Sequence, residues 1–120
     1  MIMQRVLIID DEFDLCLLLK LHLVSKHYEV EMAYNLKDGL KKIESFNPDF
    51  LFLDNNLPDG HGWEKAKEII NHHPSIYINL MSGDGESLYN MLPDEKNICI
   101  MEKPLSKKAI DKCLLSFPST

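Results

Sequence analysis

No apolar run in this 120-residue chain approaches the roughly 18 residues that a membrane-crossing helix requires. No cationic stretch, apolar region and cleavage site precede the first strand-like segment, Val6-Leu7-Ile8-Ile9, so no export signal is read. Cysteine is scarce. Cys16, Cys99 and Cys113 are odd in number, widely spaced and set in apolar segments, which argues against a disulfide framework and for buried free thiols in a reducing compartment. An excess of basic residues is also missing: 13 Lys and Arg stand against 19 Asp and Glu, for a net charge of -6. That balance argues against sequence-independent nucleic-acid binding, which needs clustered cations. There is no internal repeat, low-complexity tract or linker. The expectation from these absences is a cytoplasmic protein, without membrane insertion or direct nucleic-acid contact, in which residues 1–120 form a single domain.

What is present is alternation. Hydrophobic residues make up 45% of the chain and charged residues 27%, ordinary for a globular protein. The short apolar runs Val6–Ile9, Phe50–Leu53, Ile76–Met81 and Ile98–Met101 read as strands buried on both faces. Tyr28–Tyr34 alternates more and reads as a strand nearer an edge. Between them lie amphipathic segments. Residues 13–26 place Leu15, Leu18, Leu19 and Leu23 on a broad apolar face. Residues 36–45 follow Asn35 as N-cap, and residues 62–72 carry Trp63, Ala66, Ile69 and Ile70. Residues 85–92 form a short helix stopped by Pro93, and residues 106–116 start at Ser106 as cap. Pro118-Ser119-Thr120 reads as a frayed end. Five strand–helix alternations imply an α/β fold with a parallel sheet covered on both faces. In such sheets the working crevice lies at the carboxyl ends of the strands.

The residues after each strand are rich in chemistry. The first strand is followed by Asp10-Asp11-Glu12. The third is followed by Asp54-Asn55-Asn56-Leu57-Pro58-Asp59-Gly60, the fourth by Ser82-Gly83-Asp84 and the fifth by Glu102-Lys103-Pro104. Each run alone is ordinary turn or helix-start chemistry. Their arrival at successive strand ends is what gives them joint meaning. Carboxylates brought together resist ionising without a cation, and hard oxygen donors suit Mg²⁺ or Mn²⁺. A metal there aligns an in-line phosphoryl displacement in which a carboxylate is the nucleophile. Lys103 suits a phosphate oxygen or the acceptor carboxylate, and Ser82 a phosphate oxygen once it has arrived.

These residues make the chain resemble the receiver domains of two-component response regulators over essentially its whole length. The resemblance rests on the acidic pair Asp10 and Asp11, the motif Asp54-x-x-Leu-Pro-Asp-Gly-x-Gly, the hydroxyl of Ser82 and the pair Lys103-Pro104. It implies a flavodoxin-like, doubly wound (βα)5 sandwich with strand order 2-1-3-4-5. It also implies that Asp54 becomes an aspartyl phosphate. Asp11 and Asp54 would bind the metal by side chain, Asp10 directly or through water, and Asn56 through its backbone carbonyl. Ser82 and Lys103 would complete the catalytic set, with a cis Lys103–Pro104 peptide. The implied partners are a sensor histidine kinase or histidine phosphotransfer protein and a downstream effector, with phosphorylation-dependent homodimerisation a further option.

On this reading the chain is a signalling switch whose only catalysis is its own phosphorylation and dephosphorylation. Asn56 and Asp84 would tune hydrolysis; both are small and polar, so a short-lived acyl phosphate is expected. Two departures stand out. Ile100 occupies a position where many receivers carry Tyr or Phe, and a branched aliphatic residue cannot report the switch as an inward-turning ring does; Ser82 replaces the commoner threonine. Other readings remain open. A metal-dependent phosphatase with an aspartyl nucleophile usually has a second acid two residues on, where this chain has Asn56. A degenerate receiver would act as a phosphorylation-independent binding module. A nucleotide-binding protein of this fold would carry a glycine-rich loop after the first strand, where this chain has acids. Elsewhere, His61 reads as a solvated loop residue and His72-His73 as a helix end. Met81, Met91 and Met101 read as core filler, and Lys107, Lys108 and Lys112 as a solvated face.

Overall fold

The computed structural model describes residues 3–83 and 97–116. The helix expected over residues 85–92, with Met91 and Asp84, and the expected frayed end at Pro118-Ser119-Thr120 lie outside the described residues. The main sheet contains β1 (Arg5–Ile9), β2 (Glu29–Ala33), β3 (Phe50–Asp54), β6 (Tyr77–Ser82) and β7 (Ile98–Glu102). Every pairing is parallel, and the order is β2-β1-β3-β6-β7. This is the expected 2-1-3-4-5 order. Between β3 and β6, β4 (Asn56–Leu57) and β5 (Gly60–His61) form a separate antiparallel pair. By sequence alone this stretch reads as loop. Pro58-Asp59 reverse the chain there, and Gly60 takes φ +151°, a conformation L side chains rarely adopt.

Strand alternation divides the core into two layers. Leu7, Ile9, Leu51, Leu53, Ile78 and Leu80 meet α2 (Leu36–Phe46) and α3 (Gly62–His72). Val6, Ile8, Phe50, Phe52, Met81 and Met101 meet α1 (Phe13–Ser25) and α4 (Lys107–Ser116) on the other face. Central strands need apolar residues at both parities, which explains their unbroken apolar runs. Each such side chain contributes about 1.5–3 kcal/mol on burial. The edge strands differ. β2 is only half-buried, as its alternating sequence indicates, and Ile98, Cys99 and Ile100 of β7 are half-buried too, where burial on both faces was expected.

The caps follow the sequence. The Asn35 side chain accepts from the Asp38 N–H, and α2 ends at Asn47 in the left-handed region. Ser106 Oγ accepts from the Ala109 N–H at the start of α4. Helix α1 does not follow its expected pattern. Cys16, Leu19 and Leu23 make its buried face, while Leu18 is 67% exposed, Phe13 66% and Leu21 59%. The helix is apolar nearly all round, and one sheet face can cover only one stripe of it. Among the described residues no helix is long and apolar enough to cross a membrane.

The start of α3 is pressed against the end of β3. A Cβ on Gly62 would lie 2.6 Å from the Asp54 carbonyl oxygen and 3.0 Å from Leu53 Cγ. Backbone cannot yield as a flexible side chain can. Gly62→Ala is therefore expected to lower stability by about 1–3 kcal/mol, the usual range for overpacking, and urea unfolding checks it. A change below a few tenths of a kcal/mol would show that α3 is free to move off the strand.

Candidate functional site

The parallel arrangement delivers the sequence-predicted residues to one edge of the sheet. Asp10 follows β1 and is fully buried, its N–H continuing the ladder to the Ala33 carbonyl at 3.0 Å. Asp54 ends β3 and is also buried. Ser82 ends β6, buried, and its carbonyl accepts from the Lys103 N–H at 2.9 Å. Lys103 follows β7, and its peptide bond to Pro104 is cis, as expected. The Lys103 ammonium lies 2.9 Å from Asp10 Oδ2, 3.1 Å from Glu12 Oε1 and 3.4 Å from Asp54 Oδ1. Asp11 is exposed at the rim.

Three carboxylates (Asp10, Glu12, Asp54) thus surround one ammonium, and a fourth, Asp11, lies beside Asp10 and Asp54. Burial pushes the Asp54 acid up to about 6, and the Asp10 charge adds to this, against the opposing pull of Lys103 and of the Asn56 N–H. Burial disfavours the charged lysine, but its hydrogen bond to Asp10 and the charges of Asp10 and Asp54 prevail and hold Lys103 above its ordinary range. The negative charge in excess of one lysine is what a further cation would neutralise. Asp10, Asp11 and Asp54 each offer a carboxylate oxygen, all within 4.8 Å of one another. The donors are hard oxygens, one of them solvent-facing. The set fits a divalent cation of the Mg²⁺ kind, which keeps several waters.

Asn56 follows the acceptor, exposed, with its N–H 3.4 Å from Asp54 Oδ1. Two neighbours in the same motif, to which the sequence alone assigns no role of their own, hold this loop. Asn55 is buried; its Oδ1 accepts from the Trp63 N–H at 3.1 Å and its carbonyl from Gly62 N–H at 2.9 Å, tying the loop to the start of α3. Asp59 accepts from the N–H groups of Leu36 and Lys37 at 2.8 and 2.9 Å, capping α2 from a distant loop. These bonds hold its carboxyl below the ordinary range. The Asx-rich sequence signals a turn, but not a cap donated to a helix about twenty residues away. Cys16 underlies the site, its thiol donating to the Asp10 carbonyl at 3.3 Å; burial and then the Asp10 charge push it up to about 12. Ile100, at the position in question for switching, packs half-buried against the α2/α3 side of the core. Asp84 lies outside the described residues. His61 is exposed, and His73 pairs with Glu44 at 2.9 Å rather than with His72.

Comparison with known proteins agrees with this architecture. The response regulator receiver domain family matches residues 6–114. The uncharacterized transcriptional regulatory protein YvcP of Bacillus subtilis is 35% identical over 79 residues, 64% of this chain and 33% of that protein. A two-component response regulator from Clostridium difficile superposes with TM-score 0.79 at 30% identity, covering 92% of each chain. A CheY-like receiver domain protein from Methanospirillum hungatei superposes with TM-score 0.82 at 24% identity, covering 95% of this chain and 92% of that one. The matched segment spans about a third of the length of the curated relatives.

The raised Asp54 acid has a consequence for stability. The folded state binds the proton more tightly than the unfolded chain, so the ionised carboxylate weighs against folding above pH about 6. The penalty disappears as pH falls through that value toward the ordinary carboxylate range. In metal-free protein, Asp54→Asn is expected to be more stable than the parent at pH 7.5. The gain is up to about 3 kcal/mol, since each tenfold change in proton affinity is worth ~1.4 kcal/mol. The gap should shrink at pH 4.5. Urea melts at both pH values check it, and a gap that is absent or independent of pH would refute it.

Proposed function

The chain belongs to the response regulator receiver domain family of two-component systems, and from that membership we propose that it is a phosphorylation switch with Asp54 as the acceptor. The observation that carries this reading is the buried Asp54 carboxylate, 3.4 Å from the Lys103 ammonium and sharing one cation-sized space with Asp10 and Asp11. Residues 1–120 are read as one such domain. The role places it in the cytoplasm beside a sensor histidine kinase or a histidine phosphotransfer protein.

In the proposed transfer, an Asp54 carboxylate oxygen attacks phosphorus in line with the donor's phosphohistidine bond. The P–N bond breaks, and the imidazole nitrogen leaves with its electron pair. Asp54 acts in its ionised form, which predominates at pH 7 with its acid at about 6. Asp10, Asp11 and Asp54, with the Asn56 carbonyl, would hold Mg²⁺ or Mn²⁺. When bound, the ion supplies charge that offsets the phosphoryl oxygens and the crowded carboxylates. Lys103, fixed by Asp10 and Glu12, pairs with a phosphoryl oxygen. Ser82 donates its hydroxyl to another, which draws the end of β6 toward the modified aspartate. Water reaching phosphorus past the exposed Asn56 reverses the modification. Asn56 does not provide the second acid of an aspartyl phosphatase, so multiple turnover of phosphomonoesters is not part of the reading. With Ile100 in the aliphatic core, the change passes to a downstream effector without an aromatic ring turning inward.

Helix α1 begins beside the acids, and its exposed Phe13, Leu17, Leu18, Leu21 and Val24 give a protein donor an apolar surface to dock on. Leu18→Glu is expected to slow transfer from a protein phosphodonor at least tenfold while leaving the rate with acetyl phosphate unchanged. Equal loss with both donors would remove the docking role. For the acceptor, intact mass after incubation with acetyl phosphate and Mg²⁺ should show one added phosphoryl group, absent in Asp54→Asn and in chelator. No gain in folded protein with either metal would favour a phosphorylation-independent binding module instead.

A further inference from the structure

Away from the site, two cysteines and an asparagine meet under the face covered by α4. Cys99 on β7 stands opposite Asn79 on β6 in the strand register. Both have the strand parity of Met81 and Met101, which face α1 and α4. From α4, Cys113 reaches down and its thiol donates to Asn79 Oδ1. Asn79 is thus flanked by Cys99 across the strand register and by Cys113 from the helix above. Cys113 is buried, whereas Cys99 is half-buried, and both line a groove of about 330 Å³ that Lys112 and Glu102 flank. Asn79 is fully buried, yet among the described residues its Nδ2 has no hydrogen-bond partner. An unmatched buried donor is costly, and here it sits in the strand position beside a thiol pair, where a thiolate would accept it.

We propose that Cys99 and Cys113 form a reversible dithiol–disulfide pair that exchanges with low-molecular-weight disulfides entering the groove and, when oxidised, ties the edge strand β7 to α4. The division of labour follows from the surroundings. Cys99 opens to the groove, and the hydrogen bond from Cys113 lowers its acid to about 7 in spite of burial, so it is the attacking thiolate. Cys113, raised by the same contact and by burial, keeps its proton until the second step. The Cys99 thiolate attacks one sulfur of the incoming disulfide, forming a mixed disulfide and releasing one small thiolate. Cys113 then gives up its proton to solvent and attacks the Cys99 sulfur, expelling the second small thiolate. Two protein thiols lose two electrons and two protons, and the small disulfide is reduced to two thiols. The segment so closed contains Lys103. Cys16 lies outside the groove, buried and held in its thiol form, and serves as an internal control.

The test uses wild-type protein incubated with glutathione disulfide, then trapped with an alkylating agent in denaturant and mapped by mass spectrometry. The expected product has Cys99 joined to Cys113, with Cys16 alkylated, and it reverts fully with dithiothreitol. Cys113→Ser should stop at one glutathione on Cys99, formed at least tenfold faster than any adduct on Cys16. Three alkylated cysteines in folded wild-type protein, or a stable glutathione adduct without the internal bond, would overturn the proposal. So would a Cys113→Ser variant, folded by circular dichroism, in which Cys99 reacts no faster than Cys16.

Discussion

The Lys103 ammonium is the charge on which the site depends. Asp10 and Asp54 are both buried at the end of the sheet, where two like charges out of water repel one another strongly. One cation within 3.4 Å of both, and of Glu12, offsets that repulsion. Its hold is incomplete, because burial still pushes the Asp54 acid well above the ordinary range. That remainder is the physical basis for reading the cluster as a divalent-cation site. A site fully neutralised by its own residues would have no use for a metal, and one without the lysine would have no fixed charge to meet a phosphoryl oxygen.

The surrounding scaffold keeps this costly arrangement in place. Gly62 lets the start of α3 press against the Asp54 carbonyl, Asn55 ties the acceptor loop to that helix, and Asp59 carries the same loop across to cap α2. The acceptor is therefore framed by two helices on one face of the sheet. Helix α1 and α4, on the opposite face, carry features that packing does not consume: the exposed apolar side of α1, and the thiol pair beneath α4. Both lie close to the site in sequence. Phe13 follows the acidic run, and the chain from Cys99 to Cys113 passes through Lys103. A change in either is thus placed to reach the acidic cluster through short lengths of backbone.

Much of this was legible in the residue order. Apolar runs at both parities mark the central strands, and Tyr28–Tyr34 marks an edge by its alternation. Asn35 and Ser106 announce their helices because a cap is a local bond between a side chain and an amide a few residues away. The residues Asp10, Asp11, Asp54, Ser82 and Lys103 point to one location because a parallel sheet brings all its carboxyl ends to the same edge. That geometry follows from alternation alone.

Other features depend on distance in space, and the sequence is silent about them. The apolar composition of α1 does not say which stripe the sheet will cover, so Leu18 passes for core although it faces solvent. Asp59 looks like a turn residue until the fold carries it beneath the first amides of α2. Cys99 and Cys113 look like separate buried thiols until strand parity and the docking of α4 put them on either side of Asn79. Sequence by itself determined the elements, their order and the edge where the charged residues collect, since these rest on local propensity, periodicity and the direction of parallel strands. Only the tertiary structure decided which charges pair, which apolar face stays in water and which thiols share a groove, since each of these depends on the approach of segments that no local preference encodes.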